Sequence, residues 1–144
     1  MKAYCDTDVI VSASVMSHSH HPPAVALLQA VLSGKVSAFV SAHGLAEIYA
    51  VLTRTPFAQP ISPPSAWQVI EDNVLERFEV VTLTAKEYQQ TIHDCALQGW
   101  SGSRIYDALH LKAARKANCE RIYTFNVRHF QQMAPDLSSR IVSP

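Results

Sequence analysis

The sequence predicts an α/β protein, a three-layer α/β/α sandwich around a mainly parallel central sheet of four to five strands. Short apolar stretches with strand character alternate with longer segments of helical periodicity, which is typical of strand–helix–strand units. Right-handed crossovers place the connecting helices of such a sheet on both of its faces. The 144 residues fit one domain spanning 1–144, and the 48% of apolar residues can form a sizeable core.

The first half of the chain alternates strands and helices. Pro23 opens the first helix and Gly34 ends it, because proline suits the first helical turn and glycine the position after the last. Ser41 is placed to cap the second helix, which ends before Pro56. The predicted elements are a strand at 2–7, a loop at 12–23, a helix at 23–34, a strand at 36–40 and a helix at 42–54.

The second half continues the alternation after a proline-rich break at 56–64. Ser62 and Pro63 open one helix, and Thr84 with Glu87 has the spacing of a capping box. The predicted elements are a helix at 63–77, a strand at 78–83, a helix at 84–98, a helix at 104–117, a strand at 121–124, a short helix at 129–133 and an edge strand at 141–142.

Cysteine content and charge limit the class of protein. Cys5, Cys95 and Cys119 are scattered and form no CxxC pair, which indicates reduced thiols and a cytoplasmic location. No apolar run is long enough to span a membrane, and two aspartates fall where the apolar core of a signal peptide would lie. Although the net charge is zero, residues 104–144 carry seven Lys and Arg against three Asp and Glu, which allows a basic surface.

Asp6 and Asp8 stand where the first predicted strand ends. If the chain is extended there, both side chains point to the same side of the strand. Burying ionised carboxylates costs several kcal/mol unless a partner compensates, such as a divalent cation or a helix N-terminus. The alternative interpretation is that Asp8 caps a helix and Asp6 lies in a solvated turn.

Other polar residues are placed to join Asp6. Ligands of parallel sheets bind beyond the carboxyl ends of the strands, where Asn126 also lies, with Thr124 and Arg128 as possible supporting groups. Glu47 has small or apolar helical neighbours, although a surface glutamate is the commoner use of that residue. Asp107 borders an apolar helical stripe that includes Leu111, which favours a functional role over simple helix-dipole stabilisation.

A cluster of carboxylates points to hard-metal chemistry. Crowded carboxylates repel one another and stay partly protonated without a cation. Oxygen ligands suit Mg²⁺ or Mn²⁺, and such an ion can polarise a phosphodiester and lower the pKa of a bound water. The expected reaction is metal-assisted phosphodiester hydrolysis.

The order and setting of these acids resemble the PIN domain family. The stretch Asp6–Val11 is similar to the motif of the first acid, and Leu45–Ile48 to that of the second. Ile105–Leu111 resembles the motif of the third acid and is the most specific match, while Thr124–Phe130 resembles the last motif. The resemblance spans nearly the whole chain, and the four motifs occur in the order that the family shows.

The resemblance implies a ribonuclease toxin of the VapC type, dependent on Mg²⁺ or Mn²⁺, often dimeric and inhibited by a small cognate antitoxin. By the same resemblance Asp6 and Asp107 are principal metal ligands, Glu47 completes the acidic pocket, and Asp8 is a supporting carboxylate. Asn126 occupies a position where the family often has aspartate, which weakens the case for a second metal. His129 before Phe130 is a further departure.

Two other functions remain open from the sequence. The stretch Asp6–Val9 also resembles the nucleophile motif of haloacid dehalogenase-type phosphatases, with Asp6 taking the phosphoryl group. The acid pair that those enzymes need after a late strand is missing, since that stretch reads Thr124-Phe125-Asn126. The other alternative is a PIN-like module that binds RNA or protein without catalysis. The histidines at 18–21 lack a clear partner set for zinc and are interpreted as a solvated loop.

Overall fold

A computed structural model describes all 144 residues and confirms the predicted fold class. Five parallel strands form one sheet in the order β3-β2-β1-β4-β5. The strands are β1 Lys2–Cys5, β2 Ser37–Ser41, β3 Phe78–Val81, β4 Arg121–Tyr123 and β5 Ile141–Val142. The helices are α1 Thr7–Ser14, α2 His21–Leu32, α3 Ala42–Arg54, α4 Pro63–Ile70, α5 Ala85–Gln98, α6 Arg104–Lys116 and α7 Val127–Met133.

The sheet separates two apolar cores because successive side chains of a strand point to opposite faces. Ala3 and Cys5 of β1 pack into the core that contains residues of α1, α3 and α4. Tyr4, which is fully buried, packs into the other core with residues of α6 and α7. Helices therefore cover both faces and bury the inner strands β1 and β2 beyond their first residues, whereas the edge strand β3 is exposed at Glu79 and Val80.

Local capping signals in the sequence are confirmed. Ser41 accepts a hydrogen bond at its side chain from the N–H of Gly44 at 2.8 Å and begins α3. Thr84 and Glu87 form a reciprocal capping box at the start of α5. Each such cap satisfies N–H groups that have no partner inside the helix. No helix of the fold combines the length and the apolar character needed to cross a membrane.

The chain between β1 and α2 differs from the prediction. The strand ends at Cys5, and Thr7–Ser14 forms a helix where the sequence was interpreted as the end of a strand followed by a loop. Asp6 is the N-cap of this helix, its side chain accepting from the N–H of Val9 at 3.2 Å, whereas Asp8 is exposed in the first turn. The expectation that both aspartates share one side of an extended strand was therefore wrong, as was the alternative that Asp8 is the cap.

Two smaller differences lie elsewhere. The helix opened by Pro63 is α-helical only to Ile70 and continues as a π-helical turn over Glu71–Leu75. A 3₁₀ segment at Pro135–Arg140, which the sequence did not predict, leads into β5. Neither change alters the sheet, so both leave the carboxyl edge of the strands in place.

The strand order reverses at β1. From β1 the chain adds β2 and then β3 on one side, and later adds β4 and β5 on the other. Just beyond this point the N–H of Asp6 bonds to the carbonyl of Tyr123 at 3.1 Å, which holds the ends of β1 and β4 together. Parallel α/β sheets bind ligands at such a reversal.

Candidate active site

Asp6 lies at the carboxyl end of β1 and is 6% exposed. One carboxylate oxygen accepts from the N–H of Val9, and the other accepts from the hydroxyl of Thr124 at 2.6 Å. Burial raises the pKa of Asp6 to about 6, and the bond from Thr124 only partly offsets that rise. The fold thus keeps a buried carboxylate that has no basic side chain as a salt-bridge partner.

Thr124 follows β4 and is fully buried. Its hydroxyl donates to Asp6 and accepts from the N–H of Asn126 at 3.0 Å. The side chain therefore links the ends of two adjacent strands and fixes the orientation of the Asp6 carboxylate. This places Thr124, a predicted supporting residue, in direct contact with Asp6.

Glu47 reaches the same region from α3. Its Oε2 accepts from the hydroxyl of Thr7 at 3.3 Å. Its Oε1 lies 2.8 Å from Nε2 of His43 and 3.1 Å from Nε2 of His110, but neither pair has hydrogen-bond geometry, so Oε1 is buried without a hydrogen bond. The two imidazoles and the Thr7 hydroxyl outweigh the effect of burial and lower the pKa of Glu47.

His110 lies at the centre of the acidic residues and was missed by the sequence analysis. It is almost fully buried on α6, and its Nδ1 is 2.6 Å from the hydroxyl of Tyr4. Burial opposes the charged imidazolium, but the adjacent Glu47 carboxylate, followed by the charges of Asp6 and Asp107, outweighs it and raises the pKa of His110. The i, i+3 spacing from Asp107 to His110 on one helix was the signal that could have identified it.

Asp107 lies in the first turn of α6 with about a quarter of its side chain exposed. Burial raises its pKa, and the nearby His129 opposes that rise. The distance from Nδ1 of His129 to Oδ2 of Asp107 is 3.7 Å, too long for a hydrogen bond. Like Asp6, Asp107 forms no salt bridge with Lys or Arg.

The remaining predicted residues lie at the rim. Asn126 is exposed, and its side-chain amide is 2.9 Å from Nδ1 of His129. Nε of Arg104 donates to Nε2 of His129 at 3.1 Å. The atom of Asn126 that faces Nδ1 is Nδ2, which like Arg104 is a donor, so a neutral His129 can accept from only one of the two unless the Asn126 amide turns by about 180°. Asp8 and Arg128 are exposed, and no ion pair holds either one.

The donor set fits a hard divalent cation in its chemistry. Asp6, Glu47 and Asp107 offer carboxylate oxygens, none of them is neutralised by Lys or Arg, and Glu47 has a buried oxygen without a hydrogen bond. The side chains do not form a closed set of three ligands as they stand. Ligation of one ion by all three would therefore require changes in side-chain orientation.

A cleft of about 480 Å³ opens beside these carboxylates, between α3 and α6. Glu47 and Asp107 both line it, so these two carboxylates are reached from solvent on this side. Its walls also include aromatic and basic groups, namely His43, Tyr106 and Arg54. The volume is within the range of ~300–1,000 Å³ of ordinary ligand sites.

Comparison with known proteins identifies one family. A family model described as "PIN domain" matches residues 3–134. No curated protein matches the sequence.

Solved structures with the same fold include VapC20 of Mycobacterium tuberculosis, described as a Sarcin-Ricin loop cleaving toxin. It is 17% identical, with a TM-score of 0.71 over 92% of this chain and 95% of that one. Another is VapBC2 from Rickettsia felis bound to a DNA fragment from its promoter. It is 19% identical, with a TM-score of 0.67 over 99% of this chain and 98% of that one. At these identities the likeness establishes the fold.

Proposed function

This chain belongs to the PIN domain family, and from that premise we propose that it is a metal-dependent endoribonuclease acting as the toxin of a type II toxin–antitoxin system. The observation that carries the proposal is the gathering of Asp6, Glu47 and Asp107 around the buried His110, without a Lys or Arg to neutralise them. Acids held in this way at the strand-order reversal of a parallel sheet suit binding of a cation together with a phosphodiester.

Asp6 and Asp107 are proposed as the principal ligands of Mg²⁺ or Mn²⁺, with Glu47 completing the pocket. The raised pKa of both aspartates supports this role, since a cation would favour their ionised forms. When bound, such an ion supplies charge neutralisation at the phosphate and a water of lowered pKa. Asn126 lies at the rim and contributes no charge, so a single metal is proposed.

The protein's own groups hold this arrangement. Thr124 orients Asp6, and Thr7 orients Glu47 through its hydroxyl. A carboxylate that is not fully used in ligation can accept a proton from the attacking water, and we assign this role to Glu47 because its lowered pKa keeps it ionised and its side chain lines the cleft. Asp8 and Arg128, both exposed near these elements, are proposed as supporting groups for the substrate.

The proposed partners are an RNA substrate, a cognate antitoxin of the VapB kind and a second copy of the chain, in the cytoplasm. The antitoxin partner is proposed by analogy with the Rickettsia felis structure, which is of VapBC2 bound to a promoter fragment. Light scattering of the purified chain, alone and with its candidate antitoxin, measures both assemblies.

The test of the function is RNA cleavage with Mg²⁺, with Mn²⁺ and with chelator, comparing the native protein with Asp6→Ala and Asp107→Ala. Each variant is expected to lose ~10²-fold or more in rate, which is the order contributed by one electrostatic group in an active site. Asp94→Ala is the matched control, because Asp94 is an aspartate 62% exposed on α5. Circular dichroism checks that every variant folds.

Three outcomes would contradict the proposal. Unchanged turnover in Asp6→Ala or Asp107→Ala would remove those residues from the chemistry. Hydrolysis of a phosphate monoester with no RNA cleavage would indicate the phosphatase alternative, with Asp6 as nucleophile. RNA binding with no cleavage in either metal would leave a non-catalytic binding module.

A further inference from the structure

One face of α3 carries a set of chemically distinct side chains beside the carboxylates. His43, Glu47, Ala50 and Arg54 follow one another at intervals of four, three and four residues, so they share a side of the helix. All four line the cleft of about 480 Å³ together with Ala46. Because alanine is small, the middle of this face leaves room between the imidazole and the guanidinium.

The opposite wall is formed by α6. Tyr106 stacks on His43, with ring centroids 5.0 Å apart and planes inclined by 18°. Tyr106 nevertheless remains 45% exposed, so much of its surface is available to a ligand. Tyr106 and Asp107 both line the cleft, so the aromatic ring and a proposed metal ligand border the same space.

Arg54 supplies positive charge at the far end of the cleft. It is exposed and forms no salt bridge, and its guanidinium bonds to no other side chain. An unpaired guanidinium suits a phosphate, which it can bind through two parallel N–H bonds. The cleft therefore offers an aromatic surface, a cation and adjacent carboxylates in one continuous space.

We propose that this cleft is a subsite for one unpaired nucleotide of the RNA substrate, with the base stacked on Tyr106 and a phosphate at Arg54. The subsite rests on the proposed ribonuclease function, and it is where the RNA next to the cleaved bond is held. A neutral base can approach Glu47 and Asp107 without charge repulsion, whereas an anionic ligand is better placed at Arg54. Base–aromatic stacking is the usual means by which proteins hold single-stranded RNA.

Binding is measured in an Asp6→Asn background, so that the RNA is not cut and the cleft, which Asp6 does not line, keeps its walls. The probe is a short fluorescently labelled single-stranded RNA, and the readout is fluorescence anisotropy. Tyr106→Ala is expected to raise the Kd roughly five- to a hundredfold, the range of one lost stacking contact. Tyr106→Phe keeps the ring and is expected to restore binding to within about twofold.

Tyr49→Ala is the matched control, because Tyr49 is a tyrosine of similar exposure, 41%, on α3 but outside the cleft lining. It is expected to leave the Kd unchanged. Arg54→Gln is expected to reduce the slope of log affinity against log salt by about 1, and Arg54→Lys to restore it, since one phosphate contact is lost and regained.

A second readout asks whether the base itself is recognised. A set of RNA probes is made in which one base is missing, at a different position in each probe. Only the probe that lacks the base held by Tyr106 is expected to bind the Asp6→Asn protein more weakly. In the protein that also carries Tyr106→Ala, that position is expected to have no further effect. Equal Kd values for Tyr106→Ala and its parent, or an abasic penalty that persists without the ring, would overturn the subsite.

The subsite and the catalytic proposal can fail separately. RNA binding that depends on Tyr106, with no cleavage in either metal, supports the subsite and rejects the nuclease. Metal-dependent cleavage by the native protein whose KM is unaffected by Tyr106→Ala rejects the subsite alone. A rise in KM with little change in kcat for Tyr106→Ala supports a binding role distinct from catalysis.

Discussion

Replacement of Asp6 by Asn is expected to stabilise the protein at alkaline pH while abolishing cleavage. Burial raises the pKa of Asp6 to about 6, so above that pH the folded protein contains an ionised group that its surroundings disfavour. Asn has nearly the same shape, carries no charge and can still accept the N-cap bond from Val9. It therefore stands in for the protonated acid.

The size of the effect follows from the two pKa values of Asp6. The Asp6 carboxyl titrates at about 6 in the folded protein and near its ordinary 3.8 in the unfolded chain. At ~1.36 kcal/mol per pKa unit, this pKa difference lowers the free energy of unfolding of the ionised protein by about 3 kcal/mol. The folded state binds the proton of Asp6 more tightly than the unfolded state does. The destabilisation by ionised Asp6 is therefore absent below about pH 4, grows between about pH 4 and 6, and reaches its full size above about pH 6. Asp6→Asn should therefore gain about 3 kcal/mol near pH 8 and almost nothing near pH 4.

The assay is urea unfolding of both proteins near pH 4 and near pH 8 in chelator, followed by Mg²⁺ addition near pH 8. Mg²⁺ is expected to raise the free energy of unfolding of the native protein and to have little effect on Asp6→Asn, since a ligand stabilises only the state that binds it. Asp8→Asn is the control, because this neighbouring aspartate is exposed, and it should change stability by less than ~0.5 kcal/mol. An Asp6→Asn protein that is no more stable than the native one near pH 8 would refute the reasoning.

Three further substitutions test the contacts around the site and one helix end. Thr124→Val removes a buried hydroxyl that serves two bonds and should lower the free energy of unfolding by ~1–3 kcal/mol, measured in urea at neutral pH; an unchanged midpoint would contradict the role of Thr124. Tyr4→Phe leaves Nδ1 of His110 without its hydrogen-bond partner at 2.6 Å. It should lower the free energy of unfolding by ~1–3 kcal/mol and slow cleavage. Unaltered stability and rate would show that the pair is dispensable. Gly99→Ala at the end of α5, where φ is +72° and no atom lies within 4 Å of a new Cβ, should cost ~1 kcal/mol through backbone strain alone, seen as a lower Tm; an unchanged Tm would argue against that strain.

Elements with local signals were predictable from the sequence. The caps at Ser41, Ser62 and Thr84 each begin a helix at the expected residue, because capping depends on one side chain and the N–H groups beside it. The parallel α/β fold followed from the alternation of strands and helices. These features need no knowledge of which distant residues come into contact.

Helix α1 was not predictable in the same way. Its sequence contains Val9, Ile10 and Val11, a β-branched run that favours a strand by propensity. All three side chains are buried between the sheet and neighbouring helices, so tertiary packing overrides that preference. The prediction for the two aspartates failed with it, because Asp6 is a helix cap and the chain is not extended at Asp8.

The candidate site was predicted in part. Asp6, Asn126 and Thr124 could be placed because they follow strands, and parallel strands end at one edge of the sheet. His43 and His110 were missed because their helical spacing from Glu47 (i, i+4) and Asp107 (i, i+3) is a weak signal that many surface pairs also show. Their importance depends on Glu47 arriving from another helix, which only the folded structure reveals.

The pairing of β1 with β4 has a consequence for synthesis of the protein. The hydroxyl that orients Asp6 belongs to a residue 118 positions later, and the strand carrying it must dock beside the first strand of the chain. Contacts of such long sequence separation form late, since chain closure has to precede them. While the chain is being made on the ribosome, the Asp6 carboxylate therefore lacks the Thr124 hydroxyl until β4 and the residue after it have been synthesised, and the active arrangement arises only after that point.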